Sequence, residues 1–408
     1  MSSPQPGFGA GALATLIAPC DLSKFVNEYL GKQFLAIPGH AEKVRDLFSW
    51  PALNEILGYQ AVAPHLRLAK DGAQLPLSSF LKTRYKVSGA STQSPLAVEV
   101  TAHLRDGATL ILNEIEGLHP PIRSLAEELE AATRSVIQVN LYASWRSSRG
   151  FHLHYDDHDV FVIQIAGPKL WKVYRPTEKY PLTSATEPNP ERLALETVWD
   201  APLQPGDVLF IPRGWWHVVT PVDEPTMHLT AGLHPPNGLK MIEWALRDLS
   251  ANELLRMDLP RFEDAPSQQR YLAGAQKIVA DTLADPALMT RFLDHLNATA
   301  ETRPVFSLPW SATEKILPDS PKSLIRLLSQ TGLHPKPDGS GDVKLAFAGK
   351  ELTFSDATAP LFEFLSVAAP ISVADFCSRF ENQFSTVDLR DFLADLARHG
   401  IIAVAEPE

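Results

Sequence analysis

The sequence is poor in cysteine. Only Cys20 and Cys377 occur in 408 residues, and their separation leaves neither a disulfide framework nor a CxxC-type zinc site. No run approaches the ~20 apolar residues of a membrane-spanning helix, and residues 1–18 lack the basic start and long apolar core of a secretion signal. We therefore expect a cytoplasmic protein without a membrane role. A basic excess is missing too: 37 basic against 48 acidic side chains leave a net charge of −11. A protein that grips a phosphate backbone normally needs a basic face. Direct nucleic-acid binding is not expected, although a small local basic patch is still allowed. There is no internal repeat and no low-complexity tract.

What is present is an ordinary globular composition, 45% hydrophobic and 21% charged, long enough for two or three domains at roughly 100–200 residues each. Proline is abundant, with 34 residues, mostly between short apolar runs of the first 235 positions. Strands are expected at 66–69, 98–101, 109–113, 136–142, 160–165, 170–174 and 208–211, with helices at 22–30, 41–47 and 122–132. Many short strands with turn signals between them suggest a barrel or sandwich. Beyond Pro236, Leu239, Ile242, Leu246 and Leu249 follow helical spacing, as do stripes in 272–283 and 288–296. This helical unit suits packing or dimerisation.

A stretch containing Pro335 and Gly341 leads to a last unit. It reads as a strand at 345–347, a helix at 357–367, a helix capped by Ser372, a helix at 387–398 stopped by Gly400, and a strand at 401–404. Leu389, Phe392, Leu393 and Leu396 form one apolar stripe, and the order and size resemble a winged helix. From Thr331 onward there are 6 Lys and Arg against 12 Asp and Glu, a balance that favours packing or protein contact over reading DNA. The expected division is 1–235, 236–334 and 335–408.

Chemistry concentrates in GFHLHYDDHDVFVIQIAGPKLWKVY, residues 150–174. Side chains two apart on a strand share a face, so His154 and Asp156 can both point into a barrel. His217 closes the segment GDVLFIPRGWWH and can supply a third ligand from a distant strand. Two imidazoles and one carboxylate on one side of a metal leave positions open for substrate or oxygen, a set suited to non-haem Fe(II). An isolated His-x-Asp arises easily among 13 histidines, and an exposed pair on a loop is the plain alternative. The turns at Gly206-Asp207 and Pro212-Arg213-Gly214 favour His217 as an inward ligand. Trp215 and Trp216 read as packing around it.

The runs HYDDHDVFVIQIAGPKLWKVYRP, from His154, and GDVLFIPRGWWH, from Gly206, resemble the JmjC oxygenases of the cupin superfamily, and among them the ribosomal-oxygenase subgroup. The resemblance extends more loosely from about Asp21 to His234. It implies an α+β protein: a double-stranded β-helix, the cupin/JmjC jelly roll, followed by an α-helical unit and a winged-helix-like C-terminal domain. It implies Fe(II) held by His154, Asp156 and His217, with 2-oxoglutarate as cosubstrate and O2 as oxidant. Lys169 would pair with the distal carboxylate of 2-oxoglutarate, joined by the Tyr142 hydroxyl. Asn140 matches the family's N-x-Y, and Thr230, with His228 in MHLTAGL, lies on the matching late strand.

The implied activity is that of a 2-oxoglutarate-dependent dioxygenase hydroxylating an aliphatic C–H of a protein side chain, a His or Arg of a basic ribosomal protein. Two alternatives share the chemistry: a peptide-tailoring or small-molecule hydroxylase, and a JmjC N-methyl demethylase. Two features depart from the subgroup. His152 stands where a small residue is usual, which permits a general cupin site of His152, His154 and Asp159 or another acid with His217. The loop SWRSSR, 144–149, is unusually basic and bulky. His158 and Asp159 read as rim positions or as partners orienting a ligand. The helical unit is compatible with a homodimer.

Overall fold

The computed structural model describes residues 12–85, 89–145, 152–182, 193–300, 303–313, 316–328, 333–367 and 370–405. The chain divides into two units, Met1–Pro235 and Pro236–Glu408. In the first, the strands are β1 (Leu35–Ile37), β2 (Leu66–Lys70), β3 (Ala73–Gln74), β4 (Leu81–Tyr85), β5 (Ser91–Pro95), β6 (Thr109–Leu112) and β7 (Val136–Ser144). They continue with β8 (Asp159–Ala166), β9 (Lys169–Tyr174), β10 (Thr197–Leu203), β11 (Val208–Ile211), β12 (His217–Pro221) and β13 (Thr226–His234). Eight form one sheet in the order β1-β11-β8-β13-β7-β6-β2-β3, and β10-β9-β12 form a second. β4 and β5 make a separate two-stranded ribbon. All pairings are antiparallel, and sequence-distant strands are neighbours, as in a jelly roll.

Alternation along single strands builds two cores. On β8, Phe161, Ile163 and Ile165 join Phe25, Leu47 and Leu125 in the larger core. Val160 and Val162 instead meet Trp171, Val173, Leu203, Leu209 and Ile211 in a second core. The segment from Asp159 to Ile165 is buried throughout, which is why it reads as a continuous hydrophobic run. On β7 and β13, Val139, Leu141, Leu229 and Ala231 also join the larger core. Asn140, Tyr142, His228 and Thr230 are left on the other face, and the register pairs Tyr142 with His228 and Asn140 with Thr230.

Residues 98–101 are not a strand. They lie in the helix Ala97–Arg105, which buries Val100 and Leu104 one turn apart, so a packed helical face overrides the β-preference of Val98, Val100 and Thr101. The helix expected at 22–30 is an α-turn, Leu22–Lys24, running into a π-helical turn, Phe25–Tyr29, and that at 41–47 is the short 3-10 turn Ala41–Val44. Strands β1, β3, β4, β5, β10 and β12 were not expected. β1 has three residues, and β10 is an edge strand carrying Pro202, a position that tolerates proline.

The second unit begins with helices Gly238–Arg247, Glu253–Arg256, Ala265–Leu283 and Leu288–Thr299. Two small sheets follow, one of Leu324–Leu327 between Ile371–Ser372 and Ile402–Ala405, the other of Asp342–Phe347 between Lys336–Pro337 and Lys350–Ser355. Helices Ala359–Val367, Val373–Phe380 and Thr386–Arg398 complete it. Ser372 and Ser385 accept the Asp375 and Asp388 amides as N-caps, and Leu389, Phe392, Leu393 and Leu396 are buried. No described helix is long and apolar enough to cross a membrane.

Candidate metal centre

The His-x-Asp segment is irregular rather than a strand. β8 begins only at Asp159, and His154 forms an isolated bridge to His217. Each of these residues donates its amide to the other's carbonyl, at 3.2 and 2.8 Å, and the Asp156 carbonyl accepts the Gly214 amide at 2.9 Å. The polar stretch His-Tyr-Asp-Asp has no apolar alternation to lay on a sheet, so these backbone bonds position it instead. Strand alternation is therefore not what brings His154 and Asp156 together.

The ligand atoms of His154, Asp156 and His217 lie within 4.8 Å of one another, the only such group found among the described residues. Asp156 Oδ1 is 3.9 Å from His154 Nε2, and Oδ2 is 3.6 Å from His217 Nε2. Both Nδ1 atoms face backbone carbonyls, that of His154 at 2.8 Å from His152 and that of His217 at 3.2 Å from Trp215. An Nδ1–H donating there leaves each Nε2 lone pair toward Asp156, the tautomer a metal ligand requires. Burial, with the neighbouring His154 imidazole, pushes His217 down to about 4. It is thus neutral near pH 7. Two imidazole nitrogens and one carboxylate fit a divalent transition metal.

The group opens into a cavity of about 320 Å3. Lys169 and Trp171 line it from β9, Val160 and Val162 from β8, and Asn140, Tyr142, His228 and Thr230 from β7 and β13. Lys169 is 4% exposed, and burial pushes its ammonium down to about 7. Its Nζ donates to His228 Nδ1 at 3.2 Å. The His228 ring stacks on Tyr142, centroids 5.0 Å apart, and meets Trp171 edge-on at 5.4 Å. Burial, then Lys169, holds His228 well below the usual histidine range. The Tyr142 hydroxyl bonds with Thr230 and Asn140, and burial with the nearby Asp156 pushes it up to about 12. The cavity thus holds a metal-competent triad together with a cation, a phenol and an amide that can receive a carboxylate.

His152 is not in the triad. It is exposed, its ring rests where a Cβ on Gly72 would lie, and it contributes its carbonyl to His154. Asp159 is also elsewhere: its Oδ1 accepts the Arg213 amide at 2.9 Å and its Oδ2 faces Gly31. His158 lines the cavity, bonds Asp157 at 2.8 Å and stacks on His234 at 4.3 Å. Trp216 packs on Tyr155 and donates to Thr177, and Trp215 lies over Phe34. Of SWRSSR, Ser144 and Trp145 are described, and 146–149 lie outside the described residues. Sequence reasoning paired His228 with Thr230 but missed its bond to Lys169, and missed Trp171 as lining. The alternation of Lys169, Trp171 and Val173 was the available signal.

Residues 117–241 match the JmjC domain family. That segment of the chain is JmjC-like in sequence. The chain is 26% identical over 257 residues, 62% of its length, to the bifunctional lysine-specific demethylase and histidyl-hydroxylase NO66 of Drosophila pseudoobscura pseudoobscura, of which it spans 26%. It is 41% identical over 107 residues, 25% of its length, to human ribosomal oxygenase 1, of which it spans 16%. The chain therefore spans well under two thirds of these relatives. Among solved structures, Escherichia coli YcfD, a ribosomal oxygenase in complex with cobalt and 2-oxoglutarate, superposes with a TM-score of 0.56 at 17% identity, over 95% of this chain and 98% of that one. The same fold thus extends through both units. In its sequence relations the chain is similar to JmjC ribosomal oxygenases, and its fold is like that of YcfD.

Proposed function

We propose that the protein is an Fe(II)- and 2-oxoglutarate-dependent oxygenase that hydroxylates an aliphatic C–H of a protein side chain, a histidine or arginine of a ribosomal protein. One observation carries the reading: the His154–Asp156–His217 group and the buried Lys169 ammonium line the same cavity. His154, Asp156 and His217 would hold the iron. Lys169 and the Tyr142 hydroxyl would receive the far carboxylate of the cosubstrate, with Asn140 and Thr230 orienting Tyr142. Iron with 2-oxoglutarate and O2 supplies the oxidation, converting the cosubstrate to succinate and CO2 as oxygen enters the C–H bond. Val160, Val162, Ile211 and Val219 wall the cavity and restrict water around the reacting groups.

The relatives' printed names support a ribosomal or histidyl substrate and also name a lysine demethylase. Protein loaded anaerobically with Fe(II) and given 2-oxoglutarate, O2 and ribosomal-protein peptides should form succinate and a peptide one oxygen heavier. Formaldehyde with a demethylated peptide would overturn hydroxylation in favour of demethylation. Absence of both 2-oxoglutarate binding and succinate would overturn the oxygenase reading.

For the second unit we propose a dimerisation region within 236–334, whose end is not at 334/335 because Leu324–Leu327 is the central strand of a sheet with Ile371–Ser372 and Ile402–Ala405. In its support, Ala265–Leu283 buries none of its residues within the chain, and Leu239, Ile242, Leu272 and Met289 are exposed. Residues 335–408, together with Leu324–Leu327, are taken as a winged-helix-like domain for protein contact. Its three helices and its acidity support that role. Cys20 and Cys377 are unpaired, in keeping with a cytoplasmic compartment.

A further inference from the structure

His158 lines the same cavity as His154, Asp156 and His217, but it belongs neither to the metal-competent group nor to the cluster of Lys169 and Tyr142. Its Nδ1 is 2.8 Å from Asp157 Oδ1, and an Nδ1–H that donates to a carboxylate leaves a lone pair on Nε2. That nitrogen has no hydrogen-bond partner among the described residues. A lone pair cannot receive a carboxylate, so this edge of the ring serves neither end of 2-oxoglutarate. With 26% of its side chain exposed, the ring is within reach of an incoming group.

The ring is held in place from several sides. Gly232 alternates with His228 and Thr230 along β13, on the face by which those two line the cavity. A Cβ on Gly232 would stand 2.8 Å from Cδ2 and 2.9 Å from Nε2 of His158, so the bare backbone is what lets the ring lie there. His234 stacks on it at 4.3 Å, and Asp157 fixes its rotation. Neighbouring acceptors are engaged: Asn140 Oδ1 takes the Glu114 amide at 3.2 Å, His228 Nδ1 takes Lys169, and Asp156 faces the two imidazoles. Val160, Val162, Ile211 and Val219 make the walls apolar. A preset acceptor in such a cavity favours a side chain that brings an N–H beside its C–H groups, because an aliphatic guest leaves the lone pair unpaired and a carboxylate repels it.

We propose that His158 Nε2 is the substrate-binding acceptor of the cavity, selecting a target side chain with an N–H on a planar group, an imidazole or a guanidinium, and fixing its C–H groups there. Gly232 is a positioning residue that acts through the His158 ring. The proposal deepens the oxygenase reading and rests on it.

The test gives the full chain Fe(II), 2-oxoglutarate, O2 and peptides spanning the histidines and arginines of ribosomal proteins, and follows those that wild type makes one oxygen heavier. His158→Phe keeps a ring and removes the acceptor, and kcat/KM should fall ~10–100-fold. His158→Gln, whose Oε1 stands near the place of Nε2, should recover most of that loss. Gly232→Ala pushes the ring aside and should lose a similar factor with His158 intact. Affinity for the labelled peptide, by fluorescence anisotropy, should follow the same order, whereas Mn(II) affinity by electron paramagnetic resonance should not move. Replacing the target histidine by thienylalanine, or the target arginine by norleucine, removes the N–H. Wild type should then lose ~10-fold or more, and His158→Phe should lose that preference. Wild-type rates in His158→Phe or Gly232→Ala, no recovery in His158→Gln, or a wild type that treats thienylalanine like histidine would overturn the proposal and leave the oxygenase reading standing. So would a wild type that forms succinate but oxidises none of these peptides. A wild type with neither 2-oxoglutarate binding nor succinate overturns both.

Discussion

Replacing Lys169 by methionine should stabilise the ligand-free protein while destroying its grip on 2-oxoglutarate. Lys169 is 4% exposed, and burial pushes its ammonium down to about 7, against about 10.4 in an unfolded chain. Below pH 7 both states carry the proton, and folding must desolvate a charge. At about 1.4 kcal/mol per pH unit, that cost is roughly 4–5 kcal/mol. Methionine keeps the length and removes the charge. The lost bond to His228 Nδ1 and imperfect packing return about 1–2 kcal/mol. A net gain of roughly 2–4 kcal/mol is expected at pH 6, several degrees of Tm at about 2–4 °C per kcal/mol for a unit of this size.

The sign follows from proton binding. Between pH 7 and about 10 the unfolded chain holds a proton on Lys169 that the native state has released, so wild-type stability from this group rises with pH. The advantage of Lys169→Met should therefore shrink toward pH 9.5. Differential scanning fluorimetry of ligand-free wild type and variant from pH 6 to 9.5 measures that difference, with other titrations cancelling. A gap that does not change with pH, or a variant less stable than wild type at pH 6, would refute the reasoning. A carboxylate binding this site needs the charged lysine. By the same linkage, wild-type affinity for 2-oxoglutarate should fall up to about tenfold per pH unit above 7 by calorimetry.

Two further outcomes are expected. Asp156→Ala should weaken Mn(II) binding ~100-fold or more, read as free Mn(II) by electron paramagnetic resonance, because the carboxylate bridges both imidazoles and second-sphere losses alone cost up to about 100-fold; unchanged affinity would remove Asp156 from the ligand set. Phe161→Ala should cost about 3–5 kcal/mol in urea unfolding, since the ring is 2% exposed and packs on Phe25 and Phe210 at 5.1 and 5.0 Å; a loss under ~1 kcal/mol would mean that this face of β8 is not core.

Much of the protein was legible residue by residue. The strands at 66–69, 136–142, 160–165, 170–174 and 208–211 are all present, because their alternating or continuous apolar runs are local patterns. So are the caps at Ser372 and the stripe of the last helix. The residue types of the metal centre were also readable, from the His-x-Asp at 154–156, the later His217 and the family resemblance that those segments carry. Where they sit was not. His154 and Asp156 occupy an irregular segment held by His217 and Gly214, and those bonds join positions some sixty residues apart. The helix at 97–105 likewise defeats its own β-branched residues, because the burial of Val100 and Leu104 outweighs local preference.

The sequence by itself therefore determined which side chains could do chemistry and which stretches would pair. Tertiary structure alone decided that His152 faces outward, that Asp159 holds the Arg213 amide, and that Lys169 meets His228 in a desolvated cavity. Those outcomes depend on register between strands distant in the chain and on exclusion of water, and neither is a property of a local run of residues.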